Sequence, residues 1–238
     1  VKLSGIEFVA GHAYNLVATI NQENLNLNAI EFTVEVDEWV EENVDADVKV
    51  DYSYDTTSNI AQVETANGLQ EILAGINEGT IPSDVTIVLN DNIDLSAITR
   101  SVESNWTPIG TSEKPFVGVF DGNGKTIENL VINGGSKSNI GFFGVTMNGE
   151  IKNVTFKNAK VSGRLNVGVV AGTPYTSKYT NITVTGHVEV DGMSYVGAVG
   201  GKNAYASWDN IIVDVDANSY VNANSVENGT NYRTYVGG

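Results

Sequence analysis

The chain has 238 residues, of which 41% are apolar, 29 are acidic and 13 are basic, giving a formal charge of −16. It has no cysteine and 2 histidines, which excludes disulfide scaffolds, cysteine-ligated metal centres and thiol nucleophiles. The charge also disfavours nucleic acid and anionic membrane surfaces as partners, and abundant glycine, asparagine and valine predict a β-rich, turn-rich chain.

The first predicted element is a hairpin. Residues 14–20 and 25–36 alternate apolar and polar side chains on either side of an Asn-rich turn, a pattern typical of two antiparallel strands with one buried face. The acidic run of residues 37–55 is either a solvated strand face or a linker, and we favour an extended linker over residues 41–58 because like charges repel one another. The rest of the chain, residues 59–238, is predicted to form a second domain.

That second domain opens with a predicted helix over residues 65–78. Its apolar residues recur every three or four positions, as on one face of a helix: Leu69, Ile72, Leu73 and Ile76. Thr65 or Asn67 is suited to cap the start of this helix, and Gly79 to end it.

Two interleaved repeat series dominate the rest of the sequence. The segments ENLVI, KNVTF, TNITV and DNIIV align four asparagines: Asn129, Asn153, Asn181 and Asn210. The segments NIGFFG, NVGVVAG, YVGAVGG and YVGG align four glycines: Gly141, Gly168, Gly197 and Gly237. Strand-like repeats of this length predict a right-handed parallel β-helix, an all-β solenoid whose coils stack about 4.8 Å apart.

The alignment predicts the direction of the side chains. Two apolar columns should point inward: Leu130, Val154, Ile182 and Ile211 in one, and Ile132, Phe156, Val184 and Val213 in the other. The asparagines should stack at a coil corner and form hydrogen bonds along the stack. Immediately before them stand Glu128, Lys152, Thr180 and Asp209, and four positions after them stand Asn133, Lys157, Thr185 and Asp214.

Residues 106–144, WTPIGTSEKPFVGVFDGNGKTIENLVINGGSKSNIGFFG, resemble the opening coils of GLUG-motif repeats in bacterial surface proteins. The helix and the VTIVLNDNIDLSAI segment before them are similar to the N-terminal cap of such arrays. The final repeat stops where another coil would begin, so we expect further coils in the native protein.

Residues 11–40, GHAYNLVATINQENLNLNAIEFTVEVDEWV, resemble the closing strands of fimbrillin-like domains. The resemblance implies that residues 1–40 are the remnant of a small antiparallel β-sandwich. Together the two resemblances imply an exported, lipid-anchored protein of the outer membrane or cell surface, with a role in cell adhesion or ligand binding.

The columns give little support to catalysis. Glycoside hydrolysis needs two carboxylates about 5 to 9.5 Å apart, whereas the aligned columns pair acids with bases or neutral residues, so we predict no enzyme, cofactor or metal. The exception is Asp214 and Asp216, which should share a strand face near His187 and form either a small acid–base or cation site or a solvated charged edge. The turns DGNGK and NDNID lack a complete set of ion ligands and are interpreted as structural.

A tyrosine-rich C-terminal region favours binding. Tyrosine offers a large contact area with a polar tip, although packing in the core would also use these side chains. The candidates for ligand binding lie in the longer loops: Tyr175, Tyr179, Tyr205 and Trp208. We therefore predict a non-catalytic module that binds a host or bacterial surface protein or a glycan. The alternatives are a carbohydrate-binding module of a larger surface enzyme and a structural stalk.

Overall fold

The computed structural model of the chain describes residues 51–98 and 104–224, and outside these ranges only five short strands. It separates residues 1–48 and 49–238 into two compact units. No helix in the described ranges is long and apolar enough to cross a membrane.

The first unit contains one described pair of strands, β1 (Asn15–Ala18) and β2 (Phe32–Glu35). They run antiparallel, with Asn15 opposite Glu35 and Ala18 opposite Phe32. The predicted hairpin is therefore confirmed for these strands, while the rest of the expected sandwich remnant lies outside the described residues.

In the second unit, a hairpin starts inside the stretch favoured as a linker and ends beyond it. Strand β3 (Tyr52–Asp55) pairs antiparallel with β4 (Ile60–Val63), so residues 52–58 are a strand and a turn. This stretch forms a strand because its side chains alternate between the core and solvent. Tyr52 and Tyr54 pack against the core, while the Asp55 carboxylate accepts hydrogen bonds from the turn that follows. In the described part of this stretch, Asp55 therefore lies on the exposed face of a paired strand.

The predicted helix is confirmed as α1 (Ala66–Glu78). The Thr65 side chain accepts a hydrogen bond from the Gly68 amide, and Gly79 ends the helix in the left-handed region at φ 86°. The helix connects β4 to β5 and buries its predicted apolar face: Leu69, Ile72, Leu73 and Ile76. It belongs to the first turn of the solenoid, because β4 and β5 pair in parallel.

The rest of the unit is a parallel β-solenoid of about five turns, which confirms the predicted all-β fold. Its main sheet stacks β4, β5, β7, β9, β12 and β14 in parallel, and shorter strands form the remaining sides. The strands after α1 are β5 (Thr86–Leu89), β6 (Ile93–Asp94), β7 (Val119–Asn133), β8 (Phe143–Met147), β9 (Glu150–Ser162), β10 (Leu165–Gly168), β11 (Ala171–Tyr175), β12 (Lys178–Gly192), β13 (Ser194–Gly197), β14 (Ser207–Val215), β15 (Tyr220–Ala223), β16 (Val226–Glu227), β17 (Thr230–Asn231) and β18 (Val236–Gly237).

The long strands bend at corners occupied by asparagine. Asn153, Asn181 and Asn210 share one corner, all with φ between 51° and 55°. Each Nδ2 donates to a side-chain Oδ1 on the coil before it: Asn153 to Asp121 (3.0 Å), Asn181 to Asn153 (2.9 Å) and Asn210 to Asn181 (2.8 Å). Asparagine tolerates this backbone conformation because its short polar side chain bonds locally. The predicted ladder is confirmed for these three residues.

The predicted alignment is wrong at Asn129. Leu130 lies opposite Ala159 and Ile132 opposite Val161, so both occupy columns other than the predicted ones. Asn129 therefore belongs to the next corner, and its side chain donates to Asp94 (2.8 Å). The misalignment arises because each coil bends at two corners within the same sheet. Both corners require a residue in the left-handed backbone region, followed by apolar residues at alternate positions, so the two corners look alike in the sequence.

The predicted glycine series is confirmed in register. Gly168 pairs with Gly197, which pairs with Gly237, and the bridge between Ile140 and Val167 places Gly141 in the same column. A Cβ at Gly141 would lie 2.5 Å from the Gly168 carbonyl oxygen, so the column needs glycine for close contact between coils.

The core fills the solenoid interior with an aromatic cluster. The Trp106 ring stacks on Phe142 at 4.6 Å, and Phe142 meets the edges of three further rings: Phe120, Phe143 and Phe156. All five side chains are buried. They fix the early coils, on which the C-terminal coils stack.

Candidate functional site

The candidate site lies at the corner of the solenoid just before β14. Asn148, Thr176 and Tyr205 occupy equivalent positions in three successive coils, and all have positive φ, at 55°, 47° and 64°. The Thr176 hydroxyl donates to Asn148 Oδ1 (2.7 Å), which is the usual link between coils. At Tyr205 the small polar residue is replaced by a large aromatic one.

A second corner shows the same replacement. Asn139, Asn166 and Tyr195 form a column, again with positive φ at 61°, 57° and 56°. Asn166 donates to Asn139 Oδ1 (2.7 Å), and Lys202 Nζ lies 5.6 Å from the centre of the Tyr195 ring. A bulky residue with positive φ is uncommon and costs about 1–3 kcal/mol. The coil that contains β13 therefore carries a strained tyrosine at each of two corners.

Tyr205 and Tyr175 form an exposed aromatic pair. Their rings lie 6.2 Å apart and perpendicular to each other, at 89°. Tyr205 is 85% exposed and Tyr175 is 38% exposed. Since little protein covers Tyr205, packing in the core does not account for its strained backbone.

Tyr179 and Trp208 form a second pair, stacked at 4.3 Å on successive coils. Tyr179 is fully buried, and its hydroxyl shares a hydrogen bond with Thr146 Oγ1 (2.7 Å). Burial raises the pKa of the Tyr179 hydroxyl, which stays protonated. Of these two predicted site residues, only Trp208 is partly exposed, so Tyr179 supports the Trp208 ring from below instead of forming the surface.

An open cleft of about 560 Å³ adjoins Trp208. Its walls are mostly apolar, with Asn203 as the polar side chain: Val199, Gly200, Gly201, Asn203, Trp208, Ile211 and Val213. Gly200 keeps the ring edge accessible, because a Cβ there would lie 3.0 Å from the Trp208 ring. The four predicted residues thus form two pairs: Tyr175 and Tyr205 are exposed, whereas Trp208 lines the cleft and Tyr179 lies beneath it.

The predicted proximity of His187 and Asp216 is confirmed. His187 Nδ1 lies 3.2 Å from Asp216 on the next coil, and Nε2 lies 3.1 Å from Glu189 Oε1 on its own strand. Lys160 of the preceding coil binds Glu189 at 2.8 Å, so the network joins three coils. Sequence reasoning missed Glu189 and Lys160, because the bulge at His187 shifts the register between Thr185 and Val188.

The charges of this network favour a protonated imidazole. Both ring nitrogens face carboxylates, and only the imidazolium donates from both. Hydrogen bonds, first to Glu189 and then to Asp216, raise the pKa of His187, and the Lys160 and His187 donors lower the pKa of Glu189. Asp214 forms no ion pair with any residue of the described ranges. The described residues hold no cluster suited to a metal ion.

The two acidic turns serve the corners. Asp121 of DGNGK accepts from the Asn123 amide (2.8 Å) and from Asn153, and Asn92 of NDNID accepts from the Thr126 amide (2.9 Å). Hydrogen bonds from Asn129 and Ser96 lower the pKa of Asp94. Their oxygens are engaged between coils, as the structural interpretation predicted.

Comparison with known proteins supplies no family. No protein-family profile matches the chain. In an alignment of 145 residues that covers 59% of the chain, it is 36% identical to halomucin of Haloquadratum walsbyi, but the match spans only 2% of that protein. A candidate immunoglobulin A1 protease from Bacteroides ovatus has a similar structure, with a TM-score of 0.51 and 22% identity. That similarity covers 65% of this chain and 47% of the Bacteroides chain, and it shows the fold alone.

Proposed function

We propose that the chain is a non-catalytic binding module of an exported surface protein, and that it contacts its ligand through the corner formed by Tyr175 and Tyr205. The observation that carries this proposal is the 85% exposure of Tyr205 at a backbone position where the preceding coils have asparagine and threonine. A residue that holds a strained backbone conformation without burying its side chain is typical of a site that contacts another molecule.

The chemistry of the pair suits recognition of a protein or a glycan. Two perpendicular rings offer an apolar wall and an apolar floor, and each hydroxyl adds a donor and an acceptor at the tip. Tyrosine also loses little conformational entropy on binding, since it has only two side-chain torsions. We expect an adhesive contact with a host or bacterial surface protein or glycan at this corner.

A surface location is supported by the similarity to halomucin, a protein named as a mucin, and by the resemblance to bacterial surface repeats. The absence of catalysis is part of the proposal. Its support is that the best candidate acids, Asp216 and Glu189, are held by His187 and Lys160 in a network between coils.

The second candidate function is a carbohydrate-binding module of a larger enzyme. The cleft beside Trp208 favours it, because an aromatic ring with one face supported by Tyr179 is a platform for the apolar face of a sugar. In that case Trp208 and Asn203 would contact the ligand, and Tyr205 would lie at the rim.

Glycan and surface-protein arrays would test the proposal. The wild-type chain should bind, and the Tyr175→Ser, Tyr205→Asn double variant should lose binding, while Tyr220→Asn, the same change at another exposed tyrosine, should not. Glycan binding lost with Trp208→Ala but kept in the double variant would favour the second candidate. Binding to neither array would favour a stalk, and cleavage of a polysaccharide by the chain would refute the non-catalytic assignment.

A further inference from the structure

The sequence contains several asparagine–glycine pairs, and four of them lie within the described residues: Asn67-Gly68, Asn123-Gly124, Asn133-Gly134 and Asn148-Gly149. A further pair, Asn228-Gly229, lies outside the described residues. In such a pair the glycine nitrogen can attack the side-chain amide of the asparagine, because glycine has no Cβ to obstruct the approach. The attack requires a nitrogen that no hydrogen bond holds in place and that can reach Cγ. The structure shows which pair meets this requirement.

Three of the four described glycines donate their amide to a neighbouring oxygen. The acceptors are Thr65 Oγ1 for Gly68 (3.1 Å), the Ser162 carbonyl oxygen for Gly134 (2.7 Å) and Ser177 Oγ for Gly149 (3.2 Å). Each of these nitrogens would have to break its hydrogen bond before it could attack. The fold therefore protects these three asparagines.

Gly124 lies in a gap of the strand pairing. The pairing of β7 with β9 passes directly from Asp121 to Lys125. The pairing of β7 with β5 ends at Asp121 and that with β6 starts at Ile127, so no ladder with a neighbouring coil includes Gly124. Asn123 and Gly124 are both exposed, and a Cβ at Gly124 would have no other atom within 4 Å. The Gly124 nitrogen therefore has room to approach the Asn123 side chain.

We propose that Asn123 is a site of spontaneous deamidation that stays reactive in the folded chain. The Gly124 nitrogen forms a bond to Asn123 Cγ and gives its proton to solvent. The bond between Cγ and Nδ2 breaks, and Nδ2 takes up a proton and leaves as ammonia. Water then opens the cyclic succinimide at either carbonyl, which gives aspartate or isoaspartate. Water is the only co-reactant, and nothing is oxidised or reduced.

Deamidation removes a contact between coils. Asn123 Nδ2 donates to the Leu89 carbonyl oxygen of the coil before it (3.2 Å). A carboxylate has no proton to donate to that oxygen, and isoaspartate also lengthens the main chain by one carbon at the corner. Both products therefore weaken the attachment of β7 to the preceding coil.

Peptide mapping by mass spectrometry tests the site. The full 238-residue chain is aged in mildly alkaline buffer, beside a sample unfolded in guanidinium chloride. In the folded chain Asn123 should deamidate several-fold faster than the other three described asparagines, whereas the four rates should converge in the unfolded chain. Gly124→Ala should slow the reaction at Asn123 several-fold. Gly79→Ala, the same change at another open glycine with positive φ, is the matched control and should leave the rate unchanged.

The aged samples give a second readout in urea denaturation. The unfolding midpoint of the wild-type chain should fall on ageing, and that of the Gly124→Ala variant should fall less. Equal rates at the four asparagines of the folded chain would overturn the proposal, because hydrogen bonds would then not protect the glycine nitrogens. Reaction at Asn123 only in the unfolded chain would also overturn it, because the turn would then hold Gly124 away from Cγ. An unchanged midpoint after complete deamidation would refute the weakened attachment.

Discussion

Replacing Asn181 by alanine removes the middle member of the corner ladder. Asn181 donates to Asn153 (2.9 Å) and accepts from Asn210 (2.8 Å), and its backbone has φ 55°. Both hydrogen bonds are at the surface, where each contributes about 0.5 kcal/mol. Alanine in the left-handed region costs about 1 kcal/mol more. We therefore expect Asn181→Ala to lower the free energy of unfolding by about 2 kcal/mol.

Asn181→Gly is the matched control, because glycine adopts this conformation without strain but loses the same hydrogen bonds. Urea denaturation followed by circular dichroism should place the unfolding midpoint of the glycine variant between those of the alanine variant and the wild type. Equal midpoints for all three proteins would refute the ladder as a source of stability. A glycine variant no more stable than the alanine variant would refute the backbone contribution.

Three further predictions test other parts of the fold. Gly110→Ala should lower the free energy of unfolding in urea by about 3 kcal/mol or more, because its Cβ would lie 2.3 Å from the Val145 carbonyl oxygen and the backbone has φ 79°. Gly79→Ala is the control: its Cβ would lie in open space, so with φ 86° it should lower the free energy by only about 1 kcal/mol. Equal losses for the two variants would contradict the close packing at Gly110. Thr180→Val should leave the unfolding midpoint unchanged or raise it, because Thr180 Oγ1 is buried and has no hydrogen-bond partner among the described residues. A lower midpoint would reveal a hydrogen bond to that hydroxyl. Since the pKa of His187 is raised in the fold, its charged form stabilises fully below its ordinary pKa of 6.5, and the contribution disappears as the pH rises through the raised value. His187→Gln should therefore lower the urea midpoint at pH 6 but not at pH 9, and a loss that grows with pH would contradict the imidazolium.

Much of the solenoid could be predicted from the sequence because every coil has the same structural requirements. A corner needs a left-handed backbone, asparagine and glycine meet that need, and inward positions must be apolar. The same logic misplaced Asn129, because two corners of one coil have the same local requirement. The two corners are distinguished only by strand pairing, in which Leu130 lies opposite Ala159. Strand pairing joins residues far apart in the sequence, so a local pattern does not reveal it.

The candidate site was less predictable. Composition located the tyrosines, but it could not separate buried Tyr179, which lies in β12, from exposed Tyr205, which lies just before β14. The signal was nevertheless present in the sequence. Once β12 and β14 are aligned, Tyr205 falls in the column of Asn148 and Thr176, where an aromatic residue is out of place.

The most direct test of the binding surface is to measure stability and binding together for the single variant Tyr205→Asn. Asparagine is the residue that the corner carries at Asn148, so the variant should relieve the backbone strain and raise the free energy of unfolding by up to about 1 kcal/mol. The same variant should lose the ligand identified on the arrays. A variant that is less stable than the wild type and still binds would contradict the account.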